Sequence, residues 1–263
     1  MPTVEVDGQA VGFEDSGGAG PAVLFAHGFL MDRSMFDPQV QALAPDFRCI
    51  RMDARGFGET PVGGPFNYWD LARDAVGLLD RLGVQRGTLV GMSQGGFMAL
   101  RAALLYPERV RALVLVATDA GVDDEATRAG YLQMFRTWRE QGPIDPLTET
   151  LADLILGDDP QLRREWIAKW KAIDPERLVE PVACLLERED ISDRLEEIGC
   201  PVLVVHGEGD QSIPIARAEA MAAALPDCRG VIRVPGAMHA ANLTHPEVVN
   251  PPLRAFLDEV AAG

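Results

Sequence analysis

Three apolar runs, Ala22–Ala26 (AVLFA), Val110–Ala117 (VRALVLVA, broken only by Arg111) and Val202–Val205 (VLVV), constrain this chain more than any other feature. Strands that show water one face alternate apolar with polar residues. Strands this continuously apolar are buried on both faces, which is the condition of a parallel sheet sandwiched between helices. Further strands follow at Thr3–Val6, Ala10–Asp15, Arg48–Met52, Thr88–Val90 and Val231–Val234, the first two as a hairpin about Asp7-Gly8. Helical spacing fills the intervals, at Met35–Leu43, Leu71–Leu82 (stopped by Gly83), Gly95–Tyr106, about Ile215–Leu225, and at the C-terminus. The expectation is an α/β fold with a mostly parallel eight-stranded sheet and helices on both faces.

Between about Gly121 and Gly199 this rhythm stops. No strand-like run appears there, while Tyr131, Met134, Phe135 and Trp138 share one helical face and Leu162, Trp166, Trp170 and Ile173 another. The expected organisation is a core domain of residues 1–120 and 200–263 with an all-helical insertion, 121–199. A chain of 263 residues buries roughly 70–75% of its unfolded surface, so no disulfide or metal staple is required.

The four cysteines, Cys49, Cys184, Cys200 and Cys228, are scattered without metal-ligand spacing, as expected of reduced core thiols in a cytoplasmic protein. The N-terminus lacks the basic and apolar regions of a signal peptide, and no apolar run approaches a membrane span. With 24 basic against 40 acidic residues, the net charge of −16 repels phosphate backbones and anionic lipids. Nucleic-acid and membrane-surface partners are therefore not expected.

The chemistry centres on Gly91-Met92-Ser93-Gln94-Gly95-Gly96, placed between a strand and a helix. A G-x-S-x-G turn there lifts the serine hydroxyl off the end of the sheet, and the glycines let strand and helix approach without Cβ clashes. A competing reading makes Ser93 merely a helix cap. A nucleophilic serine needs a base and an orienting acid. Of the four histidines, His27 and His206 end strands, His245 starts a surface turn, and His239 lies in the loop after the last strand, at the same sheet edge as Ser93. His239 is the expected base. Asp210, in the turn Gly207-Glu208-Gly209-Asp210 after strand Val202–Val205, is the expected acid, with Glu208 and Asp119 as rivals. The backbone N–H groups of Phe29 and Gln94 are the expected oxyanion donors. His27 is expected to hold its loop.

Five motifs, His27-Gly28-Phe29, Asp53-Ala54-Arg55-Gly56-Phe57-Gly58, Gly91–Gly96, Gly207–Asp210 and Gly236–His239, stand in the order found in α/β hydrolases, and the chain resembles that superfamily over nearly its whole length. The resemblance is to the small esterase and lactonase branch, including the 3-oxoadipate enol-lactonases, with cofactor-free haloperoxidases and perhydrolases close behind. It implies that the helical insertion is a cap over the active site, that Asp53 and Arg55 together fix a loop, and that no metal or cofactor takes part. It also implies a small-molecule ester or lactone substrate, with water as co-substrate. A serine at the elbow argues against haloalkane dehalogenases and epoxide hydrolases, which carry aspartate there. Met134, Trp138 and Trp166 are candidate substrate contacts in the cap. Rival outcomes are a hydroxynitrile-lyase-like enzyme and a hydrolase-like receptor with little turnover. Asn250-Pro251-Pro252 departs from the pattern and predicts a break in the last helix.

Overall fold

The computed structural model describes residues 2–262. Its eight strands are β1 (Thr3–Val6), β2 (Gln9–Asp15), β3 (Ala22–Ala26), β4 (Arg48–Met52), β5 (Gly87–Met92), β6 (Val110–Val116), β7 (Val202–Gly207) and β8 (Cys228–Val234). They form one sheet in the order β1-β2-β4-β3-β5-β6-β7-β8. The β1–β2 and β2–β4 pairings are antiparallel, and all pairings from β4 through β3 to β8 are parallel.

Period-two alternation explains why the central strands read as solid apolar runs. Leu24, Leu113, Leu115 and Val204 pack into the core on one face of the sheet. Val23, Phe25, Ala112, Val114, Leu203 and Val205 pack into the core on the other. The first core is roofed by α2 (Tyr68–Arg81), α3 (Gln94–Leu105) and α8 (Ile215–Ala224). The second is covered by α1 (Asp37–Leu43) and α10 (Pro246–Ala262), with the short α9 (Ala241–Thr244) beside them. Helix α2 starts in a capping box, Asn67 with Asp70, and Gly83 follows its end at φ +70°.

Between β6 and β7 the described residues are helical: α4 (Glu125–Gln141), α5 (Asp145–Ile155), α6 (Pro160–Lys171), α7 (Val179–Leu186) and short 3-10 turns. This helical segment is tied to the ends of the strands. Trp170 Nε1 donates to Leu30 O at 2.8 Å, and Lys169 Nζ reaches Asp32 Oδ2 at 2.9 Å. No helix among the described residues is long and apolar enough to cross a membrane.

Two expectations are corrected. The last helix does not restart at its prolines: α10 runs through Pro251 and Pro252. The two missing N–H bonds are offset by side-chain docking on α1. Asn250 accepts from Gln39 Nε2 at 2.8 Å and donates to Pro38 O, while Val249, Leu253, Phe256 and Leu257 are buried. Nor do Asp53 and Arg55 pair with each other. Buried Asp53 takes the guanidinium of Arg33 and the Glu59 N–H, whereas Arg55 makes a two-pronged bond with Asp74 at 2.6 and 2.8 Å. Both ends of the loop are still held, each by a partner far along the chain that local spacing does not reveal.

Candidate active site

The chain order changes direction at β3, which has β4 on one side and β5 on the other. Ligands in open α/β sheets settle at such a switch point, outside the carboxyl ends of the strands. Ala26 and Gly91 are register partners across β3 and β5, so the His27-Gly28-Phe29 turn and Ser93 leave the sheet side by side.

Ser93 occupies φ +51°, ψ −114° at the N-cap of α3, a conformation costing about 1–3 kcal/mol. The turn is held by Ser93 N–H to Val116 O and by Thr118 Oγ1 to Ser93 O, both 2.9 Å. Leu30 and Ala117, which follow β3 and β6, also have positive φ, so backbone strain gathers along this edge. The Ser93 side chain makes no capping bond, which removes the reading of Ser93 as a mere helix cap. The flanking glycines have a steric reason. A Cβ on Gly95 would overlap the Ala26 carbonyl. Gly95→Ala is therefore expected to push α3 off β3 and cost about 3 kcal/mol, read as a lowered urea midpoint; an unchanged midpoint would contradict this packing.

At the end of β7, Asp210 Oδ1 accepts from Ser212 N–H at 2.9 Å and Ile213 N–H at 3.1 Å. Its Oδ2 lies 2.7 Å from His239 Nδ1 and 3.3 Å from His206 Nε2. Burial pushes this carboxyl up, but the His239 charge, the His206 and His239 hydrogen bonds and the Ile213 N–H outweigh it, holding the group well below the usual carboxylate range. An ionised Oδ2 only accepts, so His239 Nδ1 carries the proton and Nε2 is left as the acceptor. The loop bearing His239 is clamped from two sides. A Cβ on Gly207 would overlap Ala237 O, so the bare glycine permits close approach of β7. The His239 and Ala240 N–H groups donate to Leu154 O and Ile155 O at the end of α5.

Ser93 and His239 line one cavity of about 580 Å³, together with Phe29 and Met134. Gln94 is the first residue of α3, so its N–H belongs to those a helix leaves without an internal acceptor. The rivals for the acid are placed otherwise: Glu208 is exposed, and buried Asp119 is paired with Arg217. His27 bridges its own loop, with Nδ1 on Gly28 O at 2.8 Å and Nε2 accepting from Ala54 N–H at 2.9 Å.

Among the candidate substrate contacts of the helical segment, Trp138 and Trp166 do not line this cavity. Both are buried in the helical segment's own packing, and Lys169 sits 4.1 Å over the Trp166 ring. Apolar indoles at helical spacing satisfy the segment's interior first. Sequence reasoning misses several wall residues: Leu151, Leu154, Asp123, Arg188 and Arg217. The α5 residues repeat at i, i+4, i+7 from Leu147 and are readable as a face. The charged trio comes from three distant stretches, and nothing local marks them. Arg188 donates to Asp123 at 2.8 Å, and Arg217 reaches Asp123 at 3.3 Å.

A family model described as the alpha/beta hydrolase fold matches residues 21–246. The chain belongs to the α/β hydrolase family. Among its relatives in that family, a pimeloyl-acyl-carrier-protein methyl ester esterase from Aeromonas hydrophila is 30% identical over 247 residues, covering 88% of this chain and 92% of that protein. A 3-oxoadipate enol-lactonase from Acinetobacter baylyi is 26% identical, covering 90% and 88%. Among solved structures, a thermophilic esterase from Thermogutta terrifontis superposes with a TM-score of 0.89 at 31% identity, covering 98% of this chain and 97% of that one.

Proposed function

We propose that this α/β hydrolase is a serine hydrolase of carboxylic esters or lactones, with Ser93 as nucleophile, His239 as base, Asp210 as orienting acid, and residues 121–199 as the cap that roofs the site. The observation that carries the reading is Ser93. Its side chain is uncommitted at a strained strand-to-helix turn, and it shares a cavity with a histidine whose far nitrogen is bonded to a buried carboxylate.

In this mechanism His239 Nε2 takes the Ser93 hydroxyl proton as Oγ attacks the carbonyl carbon. The carbonyl oxygen becomes the oxyanion, and the Phe29 and Gln94 N–H groups bind it, each worth about 3 kcal/mol of transition-state stabilisation. Collapse of the tetrahedral species breaks the ester C–O bond. The proton on His239 passes to the leaving alkoxide, leaving an acyl-enzyme on Ser93. Water, deprotonated by His239, attacks the acyl carbon; the second tetrahedral species expels Ser93 Oγ, which takes the proton back from His239, and yields the acid. Asp210 stays ionised and stabilises the imidazolium at both stages. The names of the relatives and the apolar side chains lining much of the cavity support esters and lactones as the substrate class.

The test is p-nitrophenol release from p-nitrophenyl butyrate, with intact-mass spectrometry of acid-quenched samples. Multiple turnovers and a butyryl mass increment located on Ser93 are expected. Turnover without an adduct on Ser93, or no turnover with esters and lactones alike, would overturn the proposal.

A further inference from the structure

The cavity at Ser93 has a neighbour. A second cleft of about 360 Å³ lies between α4, the turn Pro175–Leu178 and α7, lined by Leu132, Trp138, Leu178, Val179 and Val182 among others. Among the described residues, Phe135 alone lines both spaces. Its ring rests edge-on against Phe29 at 5.4 Å, beside the turn that carries the candidate oxyanion donor.

The two spaces are chemically continuous at that point. The part of the site cavity contributed by α4 and α5 is largely hydrocarbon: Met134, Leu147, Leu151, Leu154 and Ile155 line it together with Phe135. The charged wall residues Asp123, Arg188 and Arg217 come from other elements, and Asp124 from the N-cap of α4. Beyond the Phe135 ring the second cleft is again mostly apolar, although Arg136, Arg139 and Glu140 also line it, and Leu132 and Val179 are 53% and 40% exposed there. A saturated chain running from Ser93 along α4 and α5 would meet the Phe135 ring, and the apolar continuation lies behind it.

We propose that Phe135 is the stop that sets the acyl-chain length this site accepts, and that the α4–α7 cleft is a distal subsite for the end of a longer saturated acyl chain when that ring is displaced. This rests on the serine-hydrolase reading above and assigns the specificity of the same site. The chemical class of substrate is an ester whose acyl part is a short to medium unbranched chain, with the limit set by one aromatic ring.

The experiment compares p-nitrophenyl butyrate, octanoate and dodecanoate with the wild type, Phe135→Ala and Phe135→Ala combined with Val182→Trp. The dodecanoate-to-butyrate ratio of kcat/KM is expected to rise at least about tenfold in Phe135→Ala, the equivalent of burying about two further methylenes. Filling the cleft with the Val182→Trp indole should return the ratio to the wild-type value. A ratio within twofold of wild type in Phe135→Ala, or a raised ratio that the filled cleft leaves unchanged, would overturn the proposal. Phe135→Leu retains apolar contact with Phe29 and carries the same test if the alanine variant does not fold, with an expected rise of about threefold. If the wild type hydrolyses no ester, the serine-hydrolase reading fails separately. Calorimetric binding of dodecanoate and butanoate then reads the partition alone: Phe135→Ala tightening dodecanoate but not butanoate supports the stop, and equal changes for both refute it.

Discussion

Replacing Ser93 with alanine is expected to lower kcat/KM for p-nitrophenyl butyrate by about 10⁵- to 10⁶-fold, or about 7–8 kcal/mol of transition-state stabilisation. The residual rate belongs to the oxyanion donors and to substrate positioning, which the substitution leaves in place. Stability should hardly move. The Ser93 side chain makes no capping bond to α3, and the backbone bonds that fix the turn run through its N–H and carbonyl. Alanine keeps both. The paired measurement is therefore a rate that collapses beside a melting temperature within about 3 °C of wild type. A variant retaining more than a hundredth of the activity would remove Ser93 as nucleophile. A variant that lost rate only by unfolding would be seen in the melt.

How much of this can be read in the sequence depends on the range of the physics involved. The buried strands are readable because burial on both faces writes itself into consecutive residues, as in Ala22–Ala26 and Val202–Gly207. Ser93, Asp210 and His239 can be placed at one sheet edge because each closely follows a strand, and parallel strands end on the same side. Their meeting depends on the close approach that Gly207 allows and on the α5 carbonyls that accept from the His239 loop, which no motif records. The pairing of Asp53 with Arg33 and of Arg55 with Asp74 is invisible for the same reason: opposite charges so close in the chain look like partners until the fold offers better ones. Trp138 and Trp166 fall outside the cavity because a helical aromatic stripe does not say which of two apolar environments, the segment's interior or the cavity wall, it faces. His206 reads in sequence as a strand-end histidine, yet its Nε2 lies on Ile213 O at 2.7 Å and near Asp210, bracing the turn that presents the acid.

Asp210→Asn should reduce kcat about 10⁴-fold, close to 5.5 kcal/mol, while leaving the turn intact. Oδ1 already accepts from the Ser212 and Ile213 N–H groups, so the amide oxygen of asparagine is held in that place and its NH₂ takes the position of Oδ2. There it faces His239 Nδ1 and can only donate. The ring must then put its proton on Nε2, and the nitrogen facing Ser93 ceases to be an acceptor. The loss is one of tautomer rather than structure, so nitrogen chemical shifts of His239 should report protonation moving from Nδ1 in the wild type to Nε2 in the variant. The same substitution isolates an acid effect on stability. Because the folded-state carboxyl is held below its ordinary range, Asp210 contributes stability that is fully present above about pH 4 and is lost as pH falls through the lowered folded value. The wild type should therefore shed melting temperature below about pH 4 by an amount the asparagine variant lacks. An asparagine variant within tenfold of wild-type kcat, with the Nδ1 proton retained, would exclude Asp210 as the orienting acid.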